Sequence, residues 1–291
     1  MIPFNDAMYA LSTVRATRLT EALAPHYGPD SDYATNPVFA LFRDNMPTEV
    51  EMEKFTAHTM LSYFDYPEAR DAIMTTAIAG AYTDYGYHCI AHAILTGIIA
   101  DRLAEKYLPH HPDTRRLVVL AALLHDAYHS HGRTEDYENI ARAKLFIENL
   151  LAVHGERLGL PHDAVRRITS MIGLTQFNGT GFDYPLPAVD PVPVAEDAMA
   201  FTVQGMACRI LGEADLVMSA TPYWPKFAAV LAQDAATAKQ VYKFLDLHTF
   251  CATQVEFIVS GMLQRCTLPE IRDALNEVLQ IHSRVLDSSI A

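Results

Sequence analysis

The chain has 291 residues, of which half are hydrophobic and a fifth are charged, a composition typical of a folded globular protein and not of a disordered one. Its 22 lysines and arginines against 35 aspartates and glutamates give a formal net charge of −13. This charge argues against general binding to nucleic-acid polymers or to anionic membrane surfaces, since both depend on basic side chains. Seven of the 13 histidines fall between residues 88 and 131, where we expect the functional site.

The N-terminal segment and the cysteines predict a cytoplasmic protein. Residues 1–15 lack the basic segment and apolar core of a signal peptide, and the longest apolar run, at 117–124, has eight residues. A membrane span needs roughly 20. The four cysteines are scattered, with no C-x-x-C pair, so we expect reduced thiols and neither disulfides nor membrane insertion.

Helical periodicity dominates the chain and predicts an all-α fold. Two helices are predicted in the first 80 residues, one begun by the capping pair Thr48 and Glu51 and one by Pro67. Further helices are predicted near 87–106, 114–126, 135–153, 162–176, 196–219, 225–264 (with a break) and 268–287. Residues 177–193 carry two glycines and four prolines and are interpreted as a long loop crossing one domain.

His88 and His92 begin the histidine-rich region. If this segment is helical, the two side chains lie one turn apart on the same face. Imidazoles at that spacing can share a metal ion, or one can bind the metal while the other transfers protons. A pair of surface histidines is the alternative.

The apolar run 117–124 leads directly into His125 and Asp126. A helix that is apolar on nearly every side lies in the core, and burying an unpaired carboxylate beside it would cost on the order of several kcal/mol. A metal ion held by His125 and Asp126 would compensate that cost, with a salt bridge or a solvent-reaching carboxylate as the alternative. Asp215 lies between Ala214 and Leu216. We interpret it either as a partly buried acid or as an ordinary acid on a helix surface.

Together these motifs resemble the HD superfamily of metal-dependent phosphohydrolases and, within it, the cyclic-nucleotide phosphodiesterase branch. The matching segments are Tyr-His-Cys-Ile-Ala-His-Ala at 87–93, His-Asp-Ala-Tyr-His at 125–129, Glu-Asn at 138–139, Ala-Asp-Leu at 214–216 and Gln-Val-Glu-Phe-Ile at 254–258. The resemblance implies a single multi-helix domain over 1–291, with the metal-site core at 85–260. Residues 1–80 would then form a helical N-terminal extension packed on that core.

Three residues depart from the family's pattern. Cys89 stands in place of an asparagine, Gln176 in place of an aspartate and Glu256 in place of a glycine that lines the base pocket. These changes affect recognition of a cyclic nucleotide more than metal binding.

The resemblance implies two divalent metals as cofactors. The ligands of the first ion, which would be zinc, iron or manganese, would be His92, His125, Asp126 and Asp215. Asp126 would also bridge to a second ion, magnesium or manganese, whose remaining ligands are mostly water. A hydroxide between the ions would attack phosphorus.

The resemblance also implies roles for residues around the metals. His88 would protonate the leaving oxygen, Glu138 would orient His88, and His129 would hold a metal-bound water. Gln254 would hydrogen-bond a base and Phe257 would stack on it, with core packing as the alternative for Phe257. Thr175 either touches the substrate or caps its helix.

The function we expect is hydrolysis of a small nucleotide-like phosphodiester, including the possibility of a cyclic nucleotide. Three alternatives stay open at this point: a phosphomonoesterase on the same fold, an HD-fold di-iron oxygenase that would take further ligands from His129 and Glu138, and a nucleotide sensor without turnover. The sequence also leaves a homodimer open.

Overall fold

The computed structural model describes residues 81–82, 88–130, 134–175, 196–218 and 247–288. All regular structure within these ranges is helical, which confirms the predicted all-α class. The two helices predicted in the first 80 residues and the loop at 177–193 lie outside the described residues. The arrangement of one domain over 1–291 therefore stays a prediction.

Seven α-helices follow one another in the described part of the chain. They are α1 Ile90–Tyr107, α2 Pro112–Leu124, α3 Asp136–His154, α4 Ala164–Gly173, α5 Glu196–Met218, α6 Leu247–Phe257 and α7 Pro269–Ser288. A π-helical turn, Ile258–Met262, continues α6. The sequence signals explain some of the helix starts: Pro112 occupies the first turn of α2, and Asp136 and Glu138 lie in the first turn of α3, where acids are favourable.

Helix α2 is the centre of the bundle. Every residue from Leu117 to Leu124 is buried, as its all-round apolar character predicts, and α2 packs against α1, α4 and α5. Helices α1 and α5 also contact each other, and His125, directly after α2, contacts residues of both helices.

Two buried glutamates tie α7 to the rest of the bundle. The carboxylate of Glu213 on α5 accepts hydrogen bonds from the backbone N–H of Thr267 (2.8 Å), the Thr267 hydroxyl (2.9 Å) and the backbone N–H of Leu268 (2.9 Å). Glu270 in the first turn of α7 accepts a hydrogen bond from the Tyr107 hydroxyl at 2.7 Å and pairs with the Lys106 ammonium. We call these two glutamates with their four partners the α7 anchor.

None of the helices in the described part of the chain is long and apolar enough to cross a membrane.

Candidate functional site

The four residues interpreted as metal ligands come from three helices and meet in one place. His92 lies in the first turn of α1, His125 and Asp126 directly follow α2, and Asp215 lies near the end of α5. The first three are buried, and the Asp215 side chain is 19% exposed. We call these four residues the histidine–aspartate cluster.

The donor atoms of the cluster face one another at short range. His92 Nε2 lies 3.2 Å from His125 Nε2, 3.2 Å from Asp126 Oδ2 and 3.0 Å from Asp215 Oδ1. His125 Nε2 lies 3.1 Å from Asp126 Oδ2 and 3.2 Å from Asp215 Oδ1. All four side chains therefore present one ligand atom each to a common centre.

The hydrogen bonds around the cluster fit a cation at that centre. His125 Nδ1 lies 2.7 Å from the backbone oxygen of Ala122, to which it donates, so neutral His125 carries its lone pair on Nε2. Asp126 Oδ2 is buried and accepts no hydrogen bond from the described residues. Ligand atoms about 2.1 Å from an ion lie about 3.0–3.4 Å from each other in octahedral or tetrahedral geometry, and the observed separations match. Two imidazoles with two carboxylates suit zinc, iron or manganese.

The charges of the cluster also favour a positive charge between its members. Burial alone would lower the pKa of His125, but Asp126 and Asp215 raise that pKa well above its ordinary value. Burial alone would raise the pKa of Asp126, but His125 and His88 hold it well below its ordinary value. The acids therefore stay ionised and attract either a proton or a metal ion.

A second group, His88 with His129, adjoins the cluster at Asp126. One nitrogen of each imidazole and one Asp126 oxygen lie within 4.8 Å of each other. The two rings are stacked, with centroids 3.5 Å apart and an interplanar angle of 21°. Burial lowers the pKa of His88, and the neighbouring His129 lowers it further.

The start of α1 differs from the prediction. The helix begins at Ile90, after the extended residue Cys89, and His88 lies in a bend before it. His88 and His92 therefore do not share a helical face. The bend still brings their rings edge to face, with centroids 5.8 Å apart.

The structure adds a short strap, residues 81–82, that the sequence interpretation missed. The Tyr82 hydroxyl donates to the backbone oxygen of Leu123 at 2.8 Å. The backbone oxygen of Ala81 accepts the N–H of Tyr128 at 2.8 Å. Tyr128 has a φ of 60°, a left-handed conformation that is strained for a non-glycine residue and is held by its surroundings. The strap thus holds the turn that carries His125 and Asp126.

Glu138 and Thr175 make contacts of their own. Glu138 Oε2 lies 3.5 Å from Arg142 Nη2 and its Oε1 lies 3.4 Å from the Tyr137 hydroxyl, so its orienting role toward His88 stays a prediction. The Thr175 hydroxyl donates to the backbone oxygen of Ile172 at 2.8 Å. This bond fits the capping alternative for Thr175, and contact of Thr175 with a substrate stays a prediction.

The two residues interpreted as base-binding lie one turn apart at the end of α6. Gln254 is buried, and its Oε1 accepts no hydrogen bond from the described residues. Phe257 is half-buried and packs against the core, so the core-packing alternative describes at least part of its surface.

Comparison with known proteins identifies the fold. The chain is similar to two crystal structures of the phosphodiesterase domain of a rhodopsin–phosphodiesterase fusion from the choanoflagellate Salpingoeca rosetta. One has a TM-score of 0.68 at 15% identity, covering 88% of this chain and 98% of that domain, and the other has a TM-score of 0.66 at 15% identity, covering 90% and 97%. No protein-family model and no curated protein matches the chain. The resemblance read from the motifs is thereby confirmed at the level of the fold.

Proposed function

We propose that this protein is a metal-dependent phosphodiesterase that hydrolyses a small nucleotide-like phosphodiester. The observation that carries the proposal is the convergence of His92, His125, Asp126 and Asp215 on one centre, within a fold similar to phosphodiesterase domains. A divalent ion bound there would neutralise the phosphate and activate water as a nucleophile near neutral pH. In this acidic chain, bound cations would supply the positive charge that an anionic substrate needs.

The chain's own residues supply orientation and a proton. The Ala122 carbonyl fixes His125 with Nε2 toward the cluster, which removes the cost of reorganising that ligand when a metal binds. His88 is half-buried beside Asp126 and stacks on His129. A protonated imidazole at this position would act as the general acid that gives a proton to a leaving alkoxide oxygen.

Gln254 is our proposed contact for the nucleotide base. Its buried side-chain oxygen without a hydrogen-bonding partner in the described structure is costly unless a ligand or water donates to it. The amide could hydrogen-bond a base while Phe257, one turn later, stacks on it. Whether the base belongs to a cyclic nucleotide depends on this pocket, where Glu256 departs from the family's glycine.

The decisive experiment combines metal analysis with turnover of bis(p-nitrophenyl) phosphate. We expect Asp126→Ala to lose bound divalent metal and phosphodiesterase activity together. Asp101→Ala removes an acid on α1 that pairs with Arg115 outside the cluster. This control variant should therefore keep its bound metal and its phosphodiesterase activity. Undiminished hydrolysis by Asp126→Ala would contradict the proposal.

The same assay separates the other candidate reactions. Faster turnover of p-nitrophenyl phosphate than of the diester would identify a phosphomonoesterase. Iron retained with oxygen consumption would identify an oxygenase, and nucleotide binding without hydrolysis in manganese would identify a sensor.

A further inference from the structure

Asn139 is a buried residue of α3 that lies at the centre of a group of hydrogen bonds beside His129. Its Oδ1 accepts from the backbone N–H of Ser130 at 3.0 Å, the Thr134 hydroxyl at 3.2 Å and Arg142 Nη1 at 3.3 Å. Its Nδ2 lies 3.1 Å from His129 Nε2. Every polar atom of this amide is thus engaged by the protein.

These contacts determine the orientation of the Asn139 amide. A backbone N–H and a guanidinium are donors that cannot accept, so the atom facing Ser130 and Arg142 must be the carbonyl oxygen. A flipped amide would place its NH2 group against those donors. The NH2 group therefore faces His129, and it can only donate.

The orientation of Asn139 determines the state of His129. Because Nε2 accepts the hydrogen bond from Asn139, it carries the lone pair, and a neutral imidazole then carries its proton on Nδ1. Such a ring has no lone pair left for an ion, although His129 lies with His88 and Asp126 in a group whose composition could hold one.

We propose that Asn139 is a positioning residue that fixes His129 as the Nδ1-protonated tautomer, so that His129 serves the adjoining metal site as a hydrogen-bond donor and not as a metal ligand. A second ion would then take Asp126 as its ligand and leave His129 in contact with the ion's water or with the substrate. The inference rests on the proposed function for the presence of a metal, but the tautomer itself is a property of the metal-free protein.

The test is long-range ¹H–¹⁵N correlation spectroscopy of the full chain labelled with ¹⁵N-histidine, with His129→Gln used to assign the His129 signals. In the metal-free protein we expect His129 to show the Nδ1–H pattern. After two equivalents of Cd²⁺ are added, we expect His92 and His125 to shift as metal ligands while His129 keeps its pattern. An Nε2–H pattern at the start, or a metal-ligand shift at His129, would overturn the proposal.

Asn139→Asp is the variant that changes the tautomer. An aspartate cannot donate, so His129 should turn to the Nε2–H form and donate to the new carboxylate, while Arg142 helps to balance the charge. Gln204→Glu is the matched control, because Gln204 is an amide bonded to Arg167, whose guanidinium also bonds Thr114 at the start of α2 and not the turn that follows α2. Gln204→Glu should leave the His129 spectrum as in the wild type, and a His129 spectrum unchanged by Asn139→Asp would contradict the role of Asn139.

Turnover provides an independent readout. If the protein hydrolyses phosphodiesters, Asn139→Asp should lower kcat about 10- to 100-fold, the usual effect of replacing a partner that orients a metal-site residue. If the protein hydrolyses none of the substrates, the proposed function fails while the tautomer measurement still stands, so the two failures can be told apart.

Discussion

The histidine–aspartate cluster and the α7 anchor each hold two buried or partly buried carboxylates, but the groups that face these carboxylates differ. In the α7 anchor, Glu213 and Glu270 accept hydrogen bonds from backbone, hydroxyl and ammonium donors of the same chain. In the cluster, Asp126 and Asp215 face the Nε2 atoms of two histidines, and for His125 this is the lone-pair nitrogen when the ring is neutral. The anchor is complete with the chain's own donors, whereas the cluster requires a proton or a metal ion from outside.

The largest expected effect is on metal affinity, and it distinguishes Asp215 from Glu213, two acids on α5. Asp215→Asn should lower metal affinity on the order of 100-fold or more, since it removes a proposed ligand and not only a ligand's partner. Glu213→Gln, two residues away, should leave metal affinity unchanged but lower the free energy of unfolding by about 1–3 kcal/mol, because an NH2 group would face a donor. Isothermal titration with Mn²⁺ and urea unfolding of the metal-free proteins measure the two effects.

If Asp215→Asn and Glu213→Gln lose the same metal affinity, or the same free energy of unfolding, the cluster and the α7 anchor do not differ as described. Equal loss of metal affinity would mean that Glu213 acts on the cluster through α5. Equal loss of stability in the metal-free proteins would mean that the cluster contributes to the fold without its ion.

Metal removal tests the difference between the cluster and the α7 anchor through the stability of the whole protein. A divalent ion at 100 times its dissociation constant should raise the free energy of unfolding by about 2.7 kcal/mol, because it binds only the folded cluster. Glu213→Gln should gain the same increment from a lower starting point, and His125→Ala should gain none. Thermal unfolding with Mn²⁺ or with EDTA measures this, and a full increment in His125→Ala would place the ion elsewhere.

Two tyrosine hydroxyls provide a smaller, matched comparison. Tyr82→Phe removes the hydrogen bond to Leu123 and loosens the turn carrying Asp126, so metal affinity should fall about 10-fold. Tyr107→Phe removes the bond to Glu270 and should cost about 1 kcal/mol of stability with metal affinity unchanged. Metal titration of both variants is the measurement, and a Tyr82→Phe protein with wild-type affinity would contradict a positioning role for the strap.

The sequence predicts the central helix from a local pattern, because the run 117–124 is apolar on every side. The four cluster residues are predicted only through the family resemblance of their motifs, since the apolar neighbours of Asp215 by themselves fit a partly buried acid and an acid on a helix surface equally well. The hydrogen bond from Tyr82 to Leu123 joins residues 41 positions apart. The hydrophobic periodicity of the sequence does not predict such a long-range bond. The same holds for Asn139, whose proposed role depends on its contact with His129. The late start of α1 follows from the extended backbone at Cys89, which has no signal in the residue type.

The smallest expected effect is a pH dependence that belongs to the α7 anchor. Burial alone would raise the pKa of Glu270, but the bonds from Lys106 and Tyr107 lower it below its ordinary value. A carboxyl group with a lower pKa in the folded state stabilises the protein above its unfolded pKa of about 4.3 and loses that contribution as the pH falls further.

Glu270→Gln should therefore reduce the free energy of unfolding by about 1 kcal/mol at pH 7, a modest amount because Lys106 is exposed to solvent. The difference from the wild type should shrink as the pH falls below about 4. Urea unfolding of both proteins in EDTA, from pH 7 to pH 3, measures it without any contribution from a bound metal. If the difference in free energy of unfolding between Glu270→Gln and the wild type stays constant over this range, Glu270 stabilises α7 by packing and not by its charge. The α7 anchor would then differ from the cluster in more than the donors that face its carboxylates.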